Sequence, residues 1–89
     1  MVEFGVHGVE GQACAVIGRC YRGPLRVGVV LRRFEDRAGR AHGVELVVDG
    51  IEAYGRRLSE IDEGITARLF LRGDGWGSLE DVGILFESV

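Results

Sequence analysis

Apolar residues in this chain alternate with polar residues or glycine in short runs, the period of strands rather than helices. In Phe4-Gly5-Val6-His7-Gly8-Val9, Phe4 and Val6 fall on one face. His42 to Asp49 does the same with Val44, Leu46 and Val48. Gln12 to Tyr21 is the longest candidate strand, with Cys14, Val16, Gly18 and Cys20 inward and Arg19 outward. Val27 to Phe34, Ile65 to Leu71 and Val82 to Phe86 complete the strand set, and Gly50 to Tyr54 reads as extended. No stretch keeps a 3.6-residue apolar period for three turns, so no long helix is expected.

Turn chemistry separates these runs. Glu10-Gly11, Arg22-Gly23-Pro24-Leu25, the polar loop Glu35 to Arg40 and the tip Gly73-Asp74-Gly75-Trp76-Gly77 all read as reversals. Arg56 to Gly64 reads as irregular, with Leu58 and Ile61 anchoring it as a plug in one barrel mouth. About seven short strands at this spacing predict an all-β fold. The specific expectation is a closed, six- to eight-stranded, mostly antiparallel barrel spanning residues 1–89 as one domain. Closure follows because a small open sheet leaves its edges unpaired. The expected core is Val16, Val27, Val30, Leu46, Val48, Leu69, Leu71, Ile84 and Leu85.

Composition narrows the function more than the fold. The 89 residues are 46% hydrophobic, which suits a packed core rather than a disordered chain. No apolar run is long enough for a transmembrane helix, and Met1-Val2-Glu3 begins no signal peptide, so a cytoplasmic, membrane-free protein is expected. All 11 basic residues are arginine. Without lysine, phosphate-loop nucleotide hydrolysis and Schiff-base chemistry lack their central group. Cys14 and Cys20 on one straight strand would stand about 20 Å apart, too far for a disulfide, and are expected to be free buried thiols.

The titratable residues form no catalytic pattern. His7 and His42 fit no zinc-type Cys/His spacing, and Ser59, Ser78 and Ser88 lack a nucleophile-elbow context. Glu35-Asp36, Asp62-Glu63 and Glu80-Asp81 are sequential pairs suited to solvated turns. A protein that is not an enzyme, with no cofactor and no metal, is the expectation. The net charge is −3, but residues 1–43 carry seven arginines against four carboxylates and residues 44–89 carry four against ten. One basic and one acidic side could steer an RNA or a protein partner.

Two segments carry a resemblance. From Gly11 the chain reads GQACAVIGRCYRGPLRVGVVL, and from Gly50 it reads GIEAYGRRLSEIDEGITARLFLRGDGWGSLEDVGIL. In order and separation these resemble domain 2 of the translational GTPases, the β-barrel of the elongation factor Tu type. The first segment matches at Gly11, Val16, Gly18, Arg19, Arg22, Gly23, Arg26, Val27 and Gly28. The second matches at Gly50, Glu52, Leu58, Glu60, Gly64, Leu69, Leu71, Arg72 and Gly73. The chain departs from the family pattern at Ala13, Ile17, Val29, Thr66, Arg68 and Asp81-Val82.

The resemblance implies a stand-alone, translation-linked binding module that touches a tRNA acceptor end or ribosomal RNA. Glu52 matches the family carboxylate in the pocket for the terminal adenosine, and Arg68 stands where the family has a small glycine, where it would fill that pocket, add a cation to it, or pair with Glu52 across adjacent strands. Glu52, Arg68, Tyr54 and Trp76 are therefore the expected ligand face, with the two aromatics as stacking surfaces. Arg19, Arg22, Arg26, Arg32 and Arg33 are the expected phosphate contacts. The alternative is a protein-interaction module that engages or blocks a translation factor, a toxin or a larger assembly, a role that suits the acidic second half.

Overall fold

The alternation of Phe4 and Val6 with Glu3, Gly5 and His7 becomes strand β1, Glu3–Glu10, whose apolar face turns inward. The computed structural model describes residues 1–88, and eight further strands follow in them. They are β2 (Ala15–Arg22), β3 (Leu25–Arg26), β4 (Val30–Asp36), β5 (Ala41–Ala53), β6 (Arg56–Leu58), β7 (Glu60–Ile61), β8 (Thr66–Asp74) and β9 (Gly83–Phe86). Short 3-10 turns at Gly11–Ala13 and Trp76–Ser78 are the only helical elements among the described residues. No helix in them is long and apolar enough to cross a membrane.

Six strands close on themselves in the order β4-β9-β1-β2-β8-β5, with β5 pairing back to β4, and every pairing is antiparallel. The fold is thus the closed antiparallel barrel that the sequence pattern implies. β6 adds to β5 outside the ring. β3 and β7 form a separate two-stranded ladder that carries Leu25 and Ile61 into the core, and Leu58 packs against that core. The segment expected to be irregular is therefore partly ladder, and Ile61 is the inward anchor it was expected to be.

Phe4, Val16, Leu25, Leu31, Phe34, Leu46, Val48, Ile51, Leu69 and Leu85 fill the barrel without exposure. Three expected core residues depart from this. Val27 is 45% exposed, because Val27-Gly28 forms a turn with Gly28 at φ +100° and strand β4 begins only at Val30. Val30 is half-buried because it pairs with Val47 on the outer face while Leu31 pairs with Leu46 inside. Ile84 and Leu85 alternate across the sheet, so only one can face in: Leu85 pairs with Phe4 and Phe34, and Ile84 stays half-buried outside. A register shift between Leu31 and Arg33 lets Leu31 and Phe34 both point inward despite their odd spacing.

Cys14 is exposed rather than inward, since it ends the 3-10 turn in left-handed conformation (φ 51°) before β2 begins. Cys20 is buried, and burial followed by the charge of Glu63 pushes its thiol above the ordinary value. Gly73 and Asp74 belong to β8 rather than to a loop, paired with Leu46 and Glu45.

The β4–β5 hairpin is organised by one carboxylate. Asp36 Oδ1 accepts from the backbone N–H groups of Ala38 and Arg40, each at 2.9 Å, and Oδ2 accepts from His42 Nε2 at 2.9 Å. The bond from His42, then that from the Arg40 amide, holds this carboxyl below its usual 3.8. A carboxyl whose pKa is lowered on folding adds stability above its unfolded pKa and loses it as pH falls through the folded one. Wild type is therefore expected to be more stable than Asp36→Ala at neutral pH. The gap in urea midpoints should hold down to about pH 5 and narrow below it. A gap unchanged into strong acid would show that the carboxylate's charge is not what organises the turn.

Candidate functional site

Strands β5 and β8 lie side by side, and their register sets Glu52 directly opposite Arg68. Across β5, Arg57 of β6 pairs with Glu52, and across β8, Ile17 of β2 pairs with Arg68. Alternation turns this row outward, because Ile51, Ala53, Ala67 and Leu69 point in. The structure thus joins the expected Glu52 and Arg68, and uses them on each other. Arg68 Nη1 donates to Glu52 Oε1 at 2.8 Å, and Nη2 donates to Glu10 Oε2 at 3.3 Å. Nε lies 2.9 Å from Glu10 Oε1, but it is buried and makes no aligned hydrogen bond.

The Arg68 side chain is 38% exposed, and a pair so open to water contributes at most about 1 kcal/mol. What it decides is availability. A guanidinium already facing two carboxylates has little left for an incoming phosphate, and Glu52 has one oxygen committed. A shallow depression of about 500 Å³ opens beside the pair, lined by Glu10, Gly11, Gln12, Ala13, Arg68 and Phe70.

The two expected aromatics part company. Tyr54 stands two residues beyond Glu52, in the turn between β5 and β6, with 78% of its surface exposed. Trp76 lies beyond the other end of β8. Six positions separate Arg68 from Asp74, about 20 Å of strand, and Trp76 packs against the core. It does not join the Glu52–Arg68 face. The neighbouring Gly75 is backed against Val44, which holds this tip down.

Most of the expected phosphate contacts are also engaged. Arg22 stands 3.6 Å from Glu3, Arg32 3.6 Å from Glu45 and Arg33 3.5 Å from Glu35, while Arg26 is bonded to Glu60. Arg33 also lies over the Phe86 ring at 4.1 Å. Arg19 donates its Nε–H to the Gly64 carbonyl at 3.0 Å. These five side chains are distributed over β2, β3 and β4 and do not form one cationic track.

Three residues of this face escape a sequence reading. Glu10 reaches Arg68 across 58 positions, because β2 lies between β1 and β8 in the sheet. Phe70 and Arg57 meet on the outer surface, with the guanidinium 4.2 Å over the ring. Arg57 stands opposite Glu52 through a two-residue reversal at Tyr54-Gly55 that the sequence does not announce, since tyrosine is not a residue such turns favour. A second depression, with Tyr21, His7, Val82 and Ile84 among its lining residues, lies outside β1 and β9. There Tyr21 Oη stands 3.4 Å from His7 Nε2. Among the described residues no three His, Cys, Asp or Glu side chains gather as a metal ion would require.

No protein-family model matches this chain, and no curated protein matches its sequence.

Proposed function

We propose that this barrel is a non-catalytic protein-interaction module. The observation that carries the reading is the pairing of most of the arginines expected to meet a ligand or phosphate. Arg22, Arg26, Arg32, Arg33 and Arg68 each stand beside a carboxylate, so the surface has mixed charge in a chain of net charge −3. An RNA-binding surface gains affinity by releasing counterions from phosphates, which needs several cations free to face them. Protein interfaces need no such excess, and rely on a few exposed aromatic and arginine side chains with satisfied polar neighbours.

The second reading is a translation-linked module contacting a tRNA acceptor end or ribosomal RNA. The ungapped likeness from Gly50 to Leu85 to the elongation factor Tu type of barrel favours it, with Glu52 at the acceptor-end position. A translation-linked role would set it in the cytoplasm. The test is a pull-down with purified translation factors and with cell extract, with and without nuclease, beside a gel shift on aminoacyl-tRNA at two salt concentrations. A stoichiometric, nuclease-insensitive protein complex supports the interaction module. A tRNA shift that weakens steeply with salt and is lost in Glu52→Ala would replace it with the RNA reading.

A further inference from the structure

The hairpin tip between β5 and β6 is costly for folding in a way that the fold itself does not use. Tyr54 (φ 55°) and Gly55 (φ 73°) form a two-residue turn between the paired Ala53 and Arg56. Both central residues have positive φ, a turn that favours asparagine, aspartate or glycine at its first position and disfavours a bulky side chain. Tyr54 nevertheless occupies it, and among the described residues it is the most exposed large hydrophobic one. Its ring adds nothing to the core, and asparagine would suit the backbone better. A residue that the turn disfavours and the core does not need points to a role outside the chain.

Arg57 supplies a second, independent observation. Unlike the paired arginines above, it has no carboxylate within ion-pairing distance and donates no hydrogen bond among the described residues. Its guanidinium is nonetheless held in place, 4.2 Å over the ring of Phe70. Gly50 leaves the room it occupies, since a methyl there would come within 2.6 Å of Arg57 Nη1. A guanidinium stacked by its face keeps its N–H edges free, and an oriented one loses little freedom on meeting a carboxylate in a two-bond fork.

We infer that Tyr54 and Arg57 are the anchor pair of the interaction surface, and that they receive a protein segment bearing one carboxylate beside an aromatic side chain. Tyr54 would lie against an apolar or aromatic side chain of that segment, and Arg57 would fork onto an Asp or Glu carboxylate. A polyanionic RNA fits this spot less well. Glu52 and Glu10 stand in the same outer region, and repeated phosphates would meet them, whereas a single carboxylate need not. Tyrosine and arginine are also the side chains that most often dominate binding at protein interfaces.

The inference rests on the protein-interaction reading, and the experiment separates the two. The full chain, labelled with nitrogen-15, is titrated with a short peptide carrying one Glu and one Trp among neutral residues and, separately, with a single-stranded RNA of equal length. Amide shifts are mapped, and fluorescence anisotropy gives the affinities. The peptide is expected to perturb residues 52–57 first. Tyr54→Asn and Arg57→Gln should each weaken it by about tenfold or more, while Arg37→Gln in the β4–β5 loop leaves it unchanged. Tyr54→Asn should keep or raise the thermal midpoint, which shows that the loss is not unfolding. Peptide binding that maps elsewhere, or that both variants retain, overturns the anchor and leaves the protein-interaction reading standing. No peptide binding by wild type also overturns the anchor. Binding of the RNA alone overturns both.

Discussion

Leu69→Ala is expected to lower the unfolding free energy by about 2–5 kcal/mol, through lost apolar transfer and the cavity left behind. Leu69 is fully buried on β8, where Val16 on one side and Ile51 on the other pair with it, both also without exposure. Those neighbours are held in two hydrogen-bonded ladders, so the walls of the cavity have little freedom to collapse. A chain of this length commonly has a total stability of about 4–13 kcal/mol, so the loss is a large share. Urea titration followed by tryptophan fluorescence measures it, since Trp76 packs against the same core. A change below about 1 kcal/mol would show that β8 does not hold this facing.

Gly18→Ala is expected to be as damaging, for the opposite reason. Gly18 sits in β2 opposite Val6 of β1 and Ala67 of β8. A methyl group there would lie 1.8 Å from the Gly5 carbonyl oxygen and 2.9 Å from the Phe4 ring. The first contact is with backbone, so no side-chain rotation relieves it. The β1–β2 ladder must open or shift, and overpacking of this kind costs about 1–3 kcal/mol or more. Gly8→Ala is the matched control. It lies in β1 as well, but a methyl there meets nothing within 4 Å. That variant should be neutral, or more stable by up to about 1 kcal/mol, since alanine restricts the unfolded chain. Equal midpoints for the two variants in thermal melts would show that the close approach of β1 and β2 is not what demands glycine at position 18.

How much of the candidate site was legible follows from how local each part is. Glu52 and Arg68 were expected on one face only through the resemblance, which sets Glu52 at the acceptor-end position and Arg68 at a family glycine. Register sets their side chains against each other, and the third member, Glu10, comes from the placing of β2 between β1 and β8. Trp76 misleads in sequence because glycines on both sides read as a free tip. Its packing depends on Val44 and the core beneath, which no local pattern encodes. The arginines mislead in the same way. A sequence shows how many cations a chain has, and only the folded surface shows which carboxylates have been set beside them.

The sequence by itself determined the fold class. Side-chain facing along a strand repeats every two residues, so Phe4 and Val6, or Val44, Leu46 and Val48, declare an inner face without knowledge of any partner. Turn chemistry is equally local, which is why the reversal at Gly23-Pro24 falls where the pattern put it, although the polar loop expected from Glu35 begins only after Asp36 because Glu35 and Asp36 still pair in β4. The tertiary structure decided what depends on neighbours distant in the chain. It brought β9 between β4 and β1 to close the ring, and set the irregular register that turns Leu31 and Phe34 both inward. It put Val27 in a turn, consumed Arg68 in an ion pair with Glu52 and Glu10, and left Arg57 stacked but unpaired beside the exposed Tyr54. The facing of a residue is a property of its own strand, whereas its partner is fixed by the register between strands that are often distant in the chain.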